Sequence, residues 1–347
     1  MAADDSSNSS NSSMGTWGSI AVLAVLLIIM ATQFGRIKNA LNEMMGSAPP
    51  SEVVVPTAAQ LKQFDLSKIA AGKEFASKAD EYDFAKAIND EPVAANDGAA
   101  GYVQDGDLVI GVVSGDDACA FPLSIMRHHL LANTKVGDKL LIVSYSPLTS
   151  STAVHVNPGS APFAPTNQVF NSALIIHDTE GGENTAYSHL SGEGLVGPAA
   201  GKKLVPVPHS VTTWERWKKA HPKTRVVKQD SAGNIRYDIN RYTAYLVDAA
   251  EPYYPAANKD DSVSWKQPVL GVRVGDAAKA YPLDQLKKAG KPVTDELGGK
   301  KFTIEYFEPT PDQPLAVITQ ADDGVTSQPA LWFAWHAFYP TTQVYGK

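Results

Sequence analysis

Thirteen residues of this chain occur twice. Residues 111–123 read GVVSGDDACAFPL and residues 271–283 read GVRVGDAAKAYPL, with eight of thirteen positions identical at a constant offset of 160. Apolar β-formers precede each copy (Leu108-Val109-Ile110 and Val269-Leu270). A short helical stretch follows, and then a further apolar run at 140–145 or 302–306. A Gly-Asp pair between apolar runs makes a turn, and proline stops the second strand. The pattern therefore predicts a strand-turn-strand-helix unit and a further strand, present twice, at about 108–145 and 268–306. Duplicated units of this kind bury their apolar faces on one another. The expected class is α+β: a β-rich soluble region at 101–347 carrying an internal repeat.

Ahead of it the chain changes character. Residues 1–13 are rich in Ser and Asn and read as a disordered tail. No charged residue lies between Ser6 and Gly35, and residues 20–31 are continuously apolar, flanked by Trp17 and Phe34. An apolar helix of roughly 20 residues spans a bilayer, so 14–36 reads as one transmembrane helix contacting lipid. Asp4 and Asp5 before it, with no Lys or Arg, argue against a cleaved signal peptide. Pro49 and Pro50 cannot continue a helix and mark a stalk at 37–55, and 56–100 reads as a partly helical connection. A second helix is expected from about Val211 to His221, capped by Thr212 or Thr213 and ended before Pro222.

Composition narrows the function classes. A net charge of −7 argues against a dominant nucleic-acid role. The basic run from Arg216 to Lys228 reads as the solvated face of a helix and its following turn. Cys119 is the single cysteine, so intramolecular disulfides and multi-cysteine zinc sites are excluded. Its apolar neighbours make it a packed side chain. There is no Walker loop, no Gly-x-Gly-x-x-Gly, no His-Glu-x-x-His and no Gly-x-Ser-x-Gly elbow.

Several segments, in order, resemble a known family. They are Ala120-Phe121-Pro122-Leu123, His129 with Asn133, Tyr145-Ser146-Pro147-Leu148-Thr149, Phe170-Asn171-Ser172 with Asp178, and Gly197-Pro198 with Gly201-Lys202. Thr213-Trp214 with Trp217, His221 and Pro222 follow, then the second repeat and the ending from Trp332 to Pro340. Over roughly 100–347 the chain resembles a bacterial and archaeal domain family of unknown function. The family is often exported, its hallmark is a Tyr-Cys-Pro-Leu-Cys loop, and some members are selenoproteins. The resemblance implies a vestigial site of His129, Asn133, Tyr145, Ser146, Thr149 and Asp178. Ser146 and Thr149 stand where the family has two thiols, and hydroxyls match thiolates neither as soft ligands nor, without an activating base, as nucleophiles. Leu130 and Thr134 replace acidic residues, Tyr187 a tryptophan and His189 a glutamine.

Other chemistry reads as sparse. His177, Asp178, Glu180, Glu183 and His189 are close enough in sequence for a surface metal site, and a solvated Gly-rich loop explains them equally well. Trp332, Trp335, Phe338 and Tyr339 form either a packed core or an aromatic contact surface. The expected role is a non-catalytic accessory or scaffolding subunit, without cofactor, docking on an integral membrane protein complex and anchored in the inner membrane. One alternative is a membrane-tethered metal or redox protein built around His129; another is an extracytoplasmic binding module for a small ligand or carbohydrate. Arg36 and Lys38 favour a cytoplasmic soluble region by the positive-inside rule. The resemblance to an often exported family tips the expectation to the extracytoplasmic side.

Overall fold

The computed structural model describes residues 64–65, 75–77, 84–179, 183–229, 235–248, 251–310 and 313–347. The chain divides into two compact units, 1–52 and 53–347, and all described residues belong to the second.

Strands β1 (Phe75–Ser77) and β2 (Val93–Ala94) lead into the first copy of the repeat. That copy runs β3 (Leu108–Ser114), β4 (Asp117–Pro122), α1 (Leu123–His129), β5 (Leu131–Val136), β6 (Lys139–Ser146), a 3-10 turn at Pro147–Thr149, and β7 (Ser151–Val156). Four strands follow: β8 (Phe163–Phe170), β9 (Ala173–Asp178), β10 (Ala186–Ser188) and β11 (Gly194–Val196). Then come β12 (His209–Thr213), α2 (Trp214–Ala220) and β13 (Arg225–Val226). A connection carrying α3 (Thr243–Val247) leads to the second copy: β14 (Pro268–Val274), β15 (Ala277–Pro282), α4 (Leu283–Ala289), β16 (Val293–Leu297) and β17 (Lys300–Phe307). It ends with β18 (Leu315–Ala321), β19 (Val325–Leu331), α5 (Trp332–Phe338) and β20 (Gln343–Val344).

The two copies adopt the same local fold. β3 and β4 pair antiparallel from Val109↔Pro122 to Ser114↔Asp117, and β14 and β15 from Val269↔Pro282 to Val274↔Ala277, a shift of 160 at each position. The two-residue turns hold Gly115 at φ 61° and Gly275 at φ 58°, left-handed values that glycine adopts without cost. Gly111 and Gly271 serve a different purpose. A Cβ on Gly111 would lie 2.2 Å from the Trp217 ring, and one on Gly271 would lie 2.1 Å from Trp335. The missing side chain is the seat of an indole.

Those indoles show that the duplication extends past the repeated thirteen residues. β12 pairs with β3 as β19 pairs with β14, and β13 lies parallel to β4 as β20 lies parallel to β15. Trp217 Nε1 donates to Thr224 Oγ1 at 2.8 Å, and Trp335 Nε1 donates to Thr342 Oγ1 at 3.0 Å. The tryptophans are 118 residues apart while the glycines are 160 apart, so the first copy is longer by 42 residues. The extra length falls between β7 and β12. It builds four strands, β8 to β11, which β1 from ahead of the repeat joins in a separate sheet, β1-β8-β9-β10-β11, absent from the second copy. The copies pack reciprocally, β7 on β19 and β18 on β12, as the subunits of a two-fold dimer would.

The added sheet has its own core. Leu130, Leu131, Ile142 and Leu148 meet Phe163, Leu174, Ile176 and Tyr187 there. Leu130 ends α1 at φ 60°, where α4 ends on Gly290 at φ 64°. A left-handed leucine costs roughly 1–2 kcal/mol. Full burial of its side chain offsets that cost.

Three expectations are corrected. The described region is mostly β rather than α+β, with several small sheets and no α-helix longer than seven residues among those described. Among the described residues no helix is long and apolar enough to cross a membrane. The expected span at 14–36 lies outside the described residues, so the transmembrane, single-pass and inner-membrane assignments find no support and are not retained. Residues 211–213 belong to strand β12 because they complete the sheet against β3; the helix starts at Trp214, with Thr213 accepting from Arg216 N at 3.4 Å. The described part of 56–100 holds β1, β2 and a 3-10 turn at Gly98–Ala100; the tail at 1–13 and the stalk at 37–55 lie outside the described residues.

Candidate functional site

Alternation along β6 sorts its side chains. Ser144 and Ser146 point to one face, and Tyr145 points to the other, into the first copy's core. β7 returns beside it, pairing Ser146 with Ser151 and Ser144 with Ala153. The 3-10 turn between them, started by Pro147, brings Thr149 back over the strand ends. The inserted sheet closes this face with His189, just past β10, whose N–H bonds Leu174 O at 3.1 Å.

The result is a polar network with no exposed member. Ser144, Ser146, Thr149, Ser151 and His189 are all 0 % exposed. His189 Nδ1 lies 3.0 Å from Ser144 Oγ and its Nε2 lies 2.8 Å from Ser151 Oγ. Ser151 Oγ is 2.7 Å from Thr149 Oγ1, which donates to Ser146 O at 3.4 Å. Ser146 Oγ accepts from Leu174 N at 3.2 Å, tying the loop to the inserted sheet. Two more imidazoles adjoin it, His155 buried and His209 partly buried. His209 Nε2 meets Thr152 Oγ1 at 2.9 Å, and Nδ1 of His155 has no partner. Burial, followed by repulsion from His209 and Arg273 at His155 and from His155 and His209 at His189, pushes both down to about 3; burial pushes His209 down to about 4. All three imidazoles are neutral at pH 7.

A Ser-His contact at 2.8 Å has the spacing of a nucleophile and its base. Three features remove that reading. The other imidazole nitrogen faces a serine hydroxyl instead of an orienting carboxylate. An imidazole held near 3 is a poor base at neutral pH. No face of the network is open to a substrate.

The other candidate residues are distributed elsewhere. His129 is buried against Tyr237, with Nδ1 at 2.7 Å from Lys86 O and Nε2 at 2.7 Å from Tyr237 OH. Both ring nitrogens are committed. Asn133 clamps β8, exchanging bonds of 2.9 and 2.8 Å with the backbone of Phe163. Tyr145 is buried, and burial raises its phenol above the usual range. Asp178 Oδ1 accepts from Asn184 Nδ2 and Thr185 N, both at 3.1 Å, ordering a turn. His177 rests on Phe64 with Nδ1 at 2.5 Å from Asp178 O, so His177, Asp178 and His189 do not converge. Among the described residues no group of three or more His, Cys, Asp and Glu could hold a metal ion. Cys119 is buried, and burial pushes its thiol up to about 12. Trp332 and Trp335 are core, Phe338 packs edge-on to Phe170, and Tyr339 lies under Arg273.

The structure puts Ser146 at the end of β6 and Thr149 in the turn that follows it, and adds Ser144, Ser151, His155, His209 and Tyr237, which sequence reasoning did not single out as a site. The Ser144/Ser146 alternation in a strand-like run was the available signal. The unequal offsets of the glycine and tryptophan pairs would have marked the insertion that supplies His189.

No curated protein and no solved structure matches the chain. A family model described as a protein of unknown function, DUF3179, matches residues 87–323, which takes in the first copy, the inserted strands β8 to β11 and most of the second copy. The chain belongs to the DUF3179 family.

Proposed function

We propose that this protein is a non-catalytic accessory subunit, a scaffold that docks on a larger protein assembly. The observation that supports it is the closed network: Ser144, Thr149, Ser151 and His189 bond to one another, Ser146 bonds to the Leu174 backbone, and all five are buried. In this reading Ser146-Pro147-Leu148-Thr149 is a degenerate form of the Tyr-Cys-Pro-Leu-Cys loop, its chemistry lost and its shape kept. The imidazole of His189 fills the space behind it and bonds to its neighbours. The buried Trp332 and Trp335 contribute stability, and docking falls to exposed apolar side chains, Val247 at 79 % and Tyr253 at 55 % on the connection between copies.

The test uses the full chain at native expression level. A folded Ser146→Ala/Thr149→Ala variant is expected to keep its assembly size in native electrophoresis and its cellular phenotype. A folded Val247→Glu/Tyr253→Ser variant is expected to lose the assembly. A hydroxyl-deleted variant that assembles normally yet loses the phenotype overturns the non-catalytic reading.

A further inference from the structure

Each copy packs its helix on a strand, α1 on β6 and α4 on β17, and sets a cation beside a tyrosine. In the first copy these are Arg127 and Tyr145, which act on each other electrostatically. In the second they are Lys287 and Tyr306. The helices match at an offset of 160, from the proline that starts each to the left-handed residue that ends it. The strands match at 161, with the pair Val136↔Lys139 answering Leu297↔Lys300. Arg127 therefore corresponds to Lys287, Tyr145 to Tyr306, and Pro147 to Glu308.

The second copy shows what such a pair holds. Glu308 Oε1 accepts from Lys287 Nζ at 2.8 Å and from Tyr306 OH at 2.5 Å, so one carboxylate oxygen joins cation and phenol. The first copy keeps the cation and the phenol, and Pro147 stands at the position of the acid. Arg127 is partly buried, and its Nε donates to Leu123 O at 3.1 Å. Among the described residues no carboxylate forms an ion pair with it. Asp107 acts on it from beyond ion-pair distance, and Asp107 Oδ2 accepts from Gln104 N at 2.8 Å. The Tyr145 hydroxyl faces that of Ser150, a neutral group. Arg127, Tyr145 and Ser150 thus bring donors together with no acid to receive them. Withdrawing a cation from water is costly, and a counter-ion offsets that cost.

We propose that the first copy binds an external carboxylate at Arg127, in the seat that Glu308 fills in the second copy. The exchange of lysine for arginine fits this role. A lysine suffices where the fold supplies its own acid, whereas a guanidinium captures a separate one through two parallel hydrogen bonds. A free carboxylic acid and an Asp or Glu side chain of a partner present the same group. Tyr145 lies on the opposite face of β6 from Ser144 and Ser146, so the site stands apart from the closed network. It requires neither the accessory role nor its absence.

Nitrogen-15 labelling of arginine in the full chain tests the proposal, with acetate as the probe. The Nε–Hε signal of Arg127 is the one missing from Arg127→Lys. Acetate replaces chloride at constant ionic strength and pH 7, and that signal is expected to shift saturably, with its midpoint at millimolar acetate. Pro147→Glu returns the second copy's acid to the seat and is expected to weaken acetate by at least about tenfold. Should that variant fail to fold, Tyr145→Phe carries the test, with an expected weakening of about tenfold from the lost phenol donor. Native electrophoresis of folded Arg127→Gln separates the two sources: loss of the assembly assigns the carboxylate to a partner side chain, and unchanged size assigns it to a free acid. A response linear in acetate, or unaltered acetate binding in the folded Pro147→Glu or Tyr145→Phe chain, would overturn the proposal.

Discussion

The two copies of the repeat share a sheet, a glycine-seated tryptophan and a left-handed helix end, yet only the first encloses a serine-histidine network among the described residues. At the end of β17 the second copy carries Glu305, Tyr306 and Phe307, partly exposed to solvent. At the end of β6 the first copy carries Ser144, Tyr145 and Ser146, and the inserted sheet seals them in. The difference separates two tasks. The duplicated frame supplies stability through apolar packing; the insertion creates a closed hydrogen-bonded interior.

If the frame is common, its largest side chains should count alike in both halves. Trp217→Ala and Trp335→Ala are each expected to lower unfolding free energy by about 3–5 kcal/mol, the usual cost of emptying a buried aromatic site. Urea denaturation measures both, and a cost confined to one copy would break the equivalence. His189→Ala has no counterpart in the second copy. It leaves the buried hydroxyls of Ser144 and Ser151 short of a partner, at about 1–3 kcal/mol for each. A change below the error of the urea midpoint would mean that the network is looser than its geometry.

Acid should act on the first copy before the second. His155, His189 and His209 have folded values near 3 to 4, below the ordinary imidazole value of 6.5. Between those limits the unfolded chain holds more protons. Stability is therefore full above about pH 6.5 and falls as pH drops toward 4, by about 1.4 kcal/mol per pH unit for each imidazole. Denaturation at pH 7 and pH 5 reads the slope, and replacing His189 should reduce it by one proton's share; a flat profile contradicts neutral burial. The smallest effect is expected at the loop. Thr149→Ala should cost about 0.5–1.5 kcal/mol, since Ser151 keeps its bond to His189.

Much of the frame was legible because turn glycines and stop prolines act locally, so the 111–123 and 271–283 repeat announced matching hairpins. Thr213 capping a helix before His221-Pro222 was legible for the same reason. Strand β12 was not, because its place is decided by β3, about a hundred residues away in sequence. The apolar run at 20–31 pointed to a membrane helix on composition alone, and the described structure lends it no support. At the candidate site, the turn after Ser146 could be read from Pro147, but the burial of Ser146 and Thr149 could not. That burial depends on His189 arriving from an inserted sheet whose strands carry few charges and no repeat.

Chemical labelling of the folded chain tests the closed network most directly. A fluorophosphonate probe for activated serines and diethylpyrocarbonate for histidines are applied at pH 7, with sites read by mass spectrometry before and after unfolding in urea. Ser144, Ser151 and His189 should remain unmodified in the native protein, with His189 reacting only once the chain is unfolded. Stoichiometric labelling of Ser144, Ser151 or His189 in the folded chain would show an open, reactive site and contradict the scaffold reading.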